Sequence, residues 1–128
     1  MATVTALFTA VTGVFTGGND QALLSLNAAT NNVGVVLRVE NILPVPIIDN
    51  VSLYYVTSPD LIGALTIPQL KAKFGGLVKE IQLPVPAVQG FFHRRSFAEP
   101  VNGLFFAAWL ETTQIGSLKL SAWAIETI

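Results

Sequence analysis

The chain has 128 residues and a mass of 13.7 kDa, which suits one domain able to bury about two thirds of the surface its unfolded form exposes. Seven basic and eight acidic side chains leave a net charge of −1, so the basic footprint of a nucleic-acid binder is missing. Cysteine is absent, which removes disulfides, thiolate metal sites and cysteine nucleophiles together.

Only 12% of the residues are charged and 52% are hydrophobic, against about 25% and about 45–50% in ordinary domains. So few charges cover little of a small domain's surface. This predicts that copies of the chain shield one another in a homo-oligomer; the other reading is a monomer wetted by its Thr, Ser, Asn and Gln.

Residues 1–18 form a ribbon without a single charge, in which Thr5, Phe8 and Thr9 recur seven residues later as Thr12, Phe15 and Thr16. No Lys or Arg precedes Arg38, so a secretory signal is not expected, and five threonines with three glycines within Met1–Gly18 argue against a membrane span. Threonine, valine and phenylalanine favour a strand, with a break near Gly13. The chain divides into this strand or arm and a β-sandwich domain over residues 19–128.

Gln21 to Ala29 reads as a strand with Leu24 and Leu26 on one face, closed by the Thr30-Asn31-Asn32 turn. In Val33 to Ile42, Val33, Val35, Leu37 and Val39 point one way and Gly34, Val36, Arg38 and Glu40 the other. Arg38 and Glu40 are then a solvated pair. LPVPIIDN, with alternate prolines, is an extended crossing segment. Asn50 to Ser58 resumes as a strand whose face of Ser52, Tyr54 and Val56 is too apolar for water and calls for a second layer or a neighbour. Thr66 to Phe74 is the one convincing helix: Thr66 caps it, Pro68 lies in its first turn, Lys71 and Lys73 near its end, and Gly75-Gly76 stop it. Leu77 to Leu83 is a strand followed by a second PVP. Leu104 to Thr112 is a central strand covered on both sides. Ser117 to Thr127 alternates, with Leu118, Leu120, Ala122 and Ala124 inward and Lys119, Ser121 and Trp123 outward; Gln114-Ile115-Gly116 suits a hairpin turn between these last two. Seven or eight antiparallel strands with one short helix predict an all-β, single-domain β-sandwich or jelly roll.

Chemistry is sparse. His93 is the only histidine, which excludes a multi-histidine metal centre within one chain. Ser96 and Glu99 lie too close to it along a strand to converge as a catalytic triad. No phosphate-binding glycine pattern occurs. No catalytic residue, metal or cofactor is therefore expected. FFHRRSF, Phe91 to Phe97, sets His93, Arg94 and Arg95 among Phe91, Phe92 and Phe97. Arginine with aromatics suits an interface anchor; the alternatives are a wetted edge strand or an anionic-ligand site. Trp109 reads as core. Trp123, on the polar face of the last strand, and Tyr54 are the candidate rings for stacking on a sugar.

Val51 to Asp60 (VSLYYVTSPD), Ile81 to Pro86 (IQLPVP), Leu104 to Thr113 (LFFAAWLETT) and Ser117 to Thr127 (SLKLSAWAIET) together resemble small tailed-phage virion proteins over roughly residues 50–127. Leu61 to Gly75 departs from that pattern, supplying an apolar stretch and a helix where the group has a Gly-Thr-rich loop. The resemblance implies a bacteriophage capsid decoration or cementing subunit on the virion exterior, a symmetric trimer or pentamer bound to other capsid proteins, with neither nucleic acid nor membrane as partner. It also implies that the N-terminal arm adds to a neighbour's sheet, with Leu7, Phe8, Val14 and Phe15 filling its grooves; the alternative is a first strand in the chain's own sheet. Two other functions stay open: a carbohydrate- or receptor-binding module with an exposed platform at Trp123, Tyr54 or Tyr55, and an enzyme with a cleft at His93.

Overall fold

A computed structural model of the chain describes residues 2–11, 20–41, 50–84, 92–100, 103–112 and 118–127. Eight strands, one helix and one short 3-10 turn lie within them: β1 (Ala2–Val11), β2 (Asp20–Ser25), β3 (Asn32–Asn41), β4 (Asn50–Ser58), α1 (Ile67–Phe74), the turn Gly75–Leu77, β5 (Lys79–Pro84), β6 (Phe92–Pro100), β7 (Phe105–Thr112) and β8 (Leu118–Thr127). The strands form two four-stranded antiparallel sheets, in the orders β1-β8-β3-β6 and β2-β7-β4-β5. This is the β-sandwich that the alternation predicts.

The alternation in β3 explains why the sheets stack. Val33, Val35, Leu37 and Val39 are fully buried. They join Ala122 and Ala124 of β8 against Val51, Leu53 and Tyr55 of β4, Ile81 and Leu83 of β5, and Phe106, Ala108 and Leu110 of β7. β1 lies antiparallel on β8, from Ala2 opposite Thr127 to Val11 opposite Leu120, with irregular register after Ala6 and after Phe8. Leu7 packs against the core between the sheets. In this structure the N-terminal strand thus completes its own chain's sheet; Val14 and Phe15 lie outside the described residues.

The second layer that β4 calls for comes from the chain itself. Tyr54, Val56, Ala107 and Trp109, on the outer face of the second sheet, pack with Ile62, Ile67 and Leu70 from the segment around α1 into a second buried cluster. This is why Phe106 to Leu110 in β7 is buried at every position. Thr66 closes a capping box on α1: its Oγ1 accepts from the Gln69 amide at 3.3 Å and its own amide donates to Gln69 Oε1 at 3.0 Å. Trp109 Nε1 donates to the Leu65 carbonyl at 2.8 Å, and Gln21 on β2 grips the same segment by donating to the Gly63 carbonyl and accepting from the Leu65 amide, both at 3.0 Å. These polar contacts fix where the apolar layer sits.

Three expectations are corrected. The second strand ends at Ser25 and not at Ala29, because Asn27 opens the turn early: its Oδ1 accepts from the Ala29 amide at 2.9 Å and its carbonyl from the Thr30 amide at 3.0 Å. The fifth begins at Lys79 instead of Leu77, because Gly75, at φ +53°, leads α1 into the 3-10 turn. No hairpin joins β7 to β8. β7 pairs with β2 and β4 while β8 pairs with β1 and β3, so the chain crosses between sheets after Thr112.

Candidate functional site

The two outer faces of the sandwich differ. That of the second sheet is roofed by α1, whereas that of the first has no covering element among the described residues. On it, cross-strand register sets Ala6, Trp123, Val36 and Ser96 in one row and Val4, Ile125, Gly34 and Ala98 in the next. Ser121, Arg38 and Arg94 form the row on the other side of Trp123. A shallow depression of about 260 Å³ runs over this face, lined by Val4, Trp123, Ile125, Val36 and Arg94. It draws on all four strands, a width of about 14 Å at the usual strand spacing. Gly34 contributes no side chain to its row, which keeps the surface low beside Ile125.

Trp123 is half-buried, with Val36 packed to 6% exposure opposite it. The indole is thus held by neighbours but reachable, as a stacking ring must be. Arg94 is exposed. Arg38 Nη2 donates to Glu40 Oε1 at 2.9 Å, with both side chains largely covered. Among the described residues that is the one ion pair, and it leaves Arg94 without a carboxylate.

The stretch FFHRRSF is divided by strand alternation. β6 is the edge of its sheet, with Phe92, Arg94 and Ser96 opposite Glu40, Arg38 and Val36 at outer-face positions. His93, Arg95 and Phe97 stand opposite Val39, Leu37 and Val35. Phe91 lies outside the described residues. Alternation thus sets His93, Arg95 and Phe97 at positions of the opposite face from Arg94, while Phe92 shares its face two positions along. Phe8, on β1, stands opposite Ala122.

Tyr54 is 6% exposed beneath α1 and Tyr55 is 3% exposed in the main core, so neither offers an open ring. The Tyr54 hydroxyl reaches Glu111 Oε1 at 3.2 Å, and Lys71 Nζ lies 4.6 Å from its ring centroid. Burial raises its phenol above the usual value, Glu111 and Glu80 raise it further, and Lys71 opposes them. Glu80 also accepts from Ser52 Oγ at 3.2 Å. This rim of Glu80, Glu111, Tyr54 and Lys71 was invisible in the sequence, where its members lie far apart. It closes the polar edge of the roofed layer. Sequence reasoning also missed Glu126, 6% exposed, whose Oε1 accepts from the Asn27 amide at 2.8 Å and from Thr30 Oγ1 at 2.9 Å. No group of three His, Cys, Asp or Glu able to hold a metal occurs among the described residues, and no helix there is long and apolar enough to cross a membrane.

No family model and no curated protein matches the chain. The phage-virion resemblance of residues 50–127 accordingly stays one of sequence pattern alone. Solved structures do match. The C-terminal domain of EclA, described as a sugar-binding protein, is 10% identical with a TM-score of 0.52, over 98% of this chain and 76% of that one. The CBM36-1 domain of a multidomain xylanase from the hindgut metagenome of Trinervitermes trinervoides is 13% identical with a TM-score of 0.50, over 100% of this chain and 98% of that domain. Dimeric latent PorU from Porphyromonas gingivalis is 11% identical with a TM-score of 0.58; the match takes in 98% of this chain but 12% of PorU. At such identities the likeness establishes a shared β-sandwich fold.

Proposed function

We propose that this chain is a carbohydrate-binding β-sandwich module that acts by adhesion, without turnover. The observation that carries the reading is Trp123, half-buried and reachable in a shallow depression flanked by Arg94 on the one sandwich face that no described element covers. A ring fixed by its neighbours offers a flat apolar surface to the C–H face of a sugar, and the guanidinium beside it bonds to the sugar's polar groups. Two solved structures with this fold, the EclA domain and the CBM36-1 domain, are a sugar-binding protein and a module of a xylanase by their own descriptions, which supports the reading.

The test is a glycan array probed with the wild-type chain and Trp123→Ala, each checked by circular dichroism. Binding by the wild type and its loss in the folded variant are expected. Wild-type protein that binds no glycan, or a Trp123→Ala variant that binds equally well, would overturn the proposal.

The decoration-subunit reading needs an extended self-contact. Exposed Leu23 and Leu61, which line a second depression of about 100 Å³, and exposed Leu104 are the surface that favours it. A trimer or pentamer by native mass, lost in Leu61→Asp, is its expected result; a monomeric wild type removes it.

A further inference from the structure

Resting on the saccharide reading, we infer that the sugar taken by the Trp123 depression is acidic, and that Arg94 receives its carboxylate. Arg38 and Arg94 stand directly opposite each other on β3 and β6, and like charges in that relation repel. Glu40 stands two positions along the same face and is engaged by Arg38 at 2.9 Å. Glu40 is thus taken by Arg38, and no second described carboxylate pairs with Arg94, in a chain that uses charge sparingly. Among the described residues that line the depression, Arg94 is the one cation, exposed and without a carboxylate.

A carboxylate is the anion that fits. It meets a guanidinium in parallel, two-pronged hydrogen bonds, which fix orientation as well as add strength. A uronic acid carries that group on the ring's rim, so the sugar face can stack on Trp123 while its acid reaches sideways to Arg94, on the strand beyond Val36. Ser121, in the Arg38–Arg94 row, faces the same side. The arrangement explains why one face combines an apolar floor of Val4, Val36 and Ile125 with a cation at its margin: stacking holds the ring, and the cation selects among rings.

The experiment measures binding of oligogalacturonate, oligoglucuronate and oligomannuronate by calorimetry, each beside its methyl ester, which keeps the sugar and removes the charge. The wild type is expected to prefer acid over ester, with a preference that shrinks as salt screens the pair. Arg94→Gln is expected to weaken binding of the acid about tenfold or more and to bring acid and ester to parity. Arg94→Lys, which keeps the charge but loses the two-pronged geometry, falls between. Because Arg94→Gln also removes the repulsion with Arg38, its melting temperature should equal or exceed that of the wild type, which separates a binding defect from a folding one.

Equal binding of acids and esters by the wild type, a preference for sulfated over carboxylated sugars, or an acid preference unchanged in Arg94→Gln would each overturn the inference and leave the saccharide reading standing. Failure to bind any sugar, charged or neutral, would overturn both.

Discussion

Replacing Trp109 by Phe removes the link between β7 and the layer that roofs it. The indole is fully buried and donates to the Leu65 carbonyl at 2.8 Å. Phenylalanine has no donor, so a part-buried carbonyl loses its partner at a cost of about 1–2 kcal/mol. The smaller ring also leaves about 40 Å³ empty, which at about 24 cal/mol per Å³ adds about 1 kcal/mol. A loss of about 2–3 kcal/mol is therefore expected, a large share of the about 5–15 kcal/mol that holds an ordinary domain together. Urea unfolding followed by far-ultraviolet circular dichroism measures it. Amide exchange adds the spatial readout: residues 61–78 should exchange faster in Trp109→Phe, because Ile62, Ile67 and Leu70 belong to the same buried cluster as this ring, while β3 and β8 keep their protection relative to global stability. A destabilisation below about 0.5 kcal/mol, or exchange that quickens equally in every strand, would refute the idea that this indole docks the layer.

Glu126→Ala should cost about 2–3 kcal/mol, since it strands the Asn27 amide and the Thr30 hydroxyl that the carboxylate satisfies at the β2–β3 turn; Glu126→Gln, which keeps an acceptor oxygen, should cost less, and equal losses in the two variants by urea unfolding would contradict this. Tyr54 sets an alkaline limit. Its folded phenol titrates above the ordinary 10.0, so the protonated form is favoured in the fold; the contribution is complete below that value and is lost as pH rises from there through the raised folded value. Tyr54→Phe should flatten the decline of stability across that window, and an identical decline would show that the phenol is not its source.

Much of the fold could be read from the chain in order. Period-two alternation in residues 33–40 and 118–127 depends only on the pleat, and it placed Val33, Val35, Leu37, Val39, Ala122 and Ala124 correctly in the core. The helix was legible because Thr66 and Pro68 mark its first turn and Lys71, Lys73 and Gly75-Gly76 its last, each signal acting within about one turn. Residues 104–112 read as covered on both sides for want of polar positions, and β7 is so covered. What covers it was not legible. The apolar faces of β4 and β7 invited a neighbouring molecule as much as a helix, and the chain's own segment 61–74 supplies the cover; part of the shortage of charge is accounted for there without a second copy.

The candidate site divides along the same line. Trp123 was readable as an outward ring because it alternates with Ala122 and Ala124, and Arg94 was one of a run of unusual residues in FFHRRSF. Nothing local tells that Arg94 lines the same depression as Trp123, one row along and two strands away, that Tyr54 turns under α1, or that Glu126 grips a turn 99 residues away at Asn27. Local order along the chain determined the strand and helix types, which faces were apolar and where the helix stops, because pleat, capping and turn preferences act over a few bonds. Only the packing of two sheets decided which strands became neighbours, which apolar face was roofed and which ring stayed open, because those outcomes depend on burial shared between segments far apart in the chain.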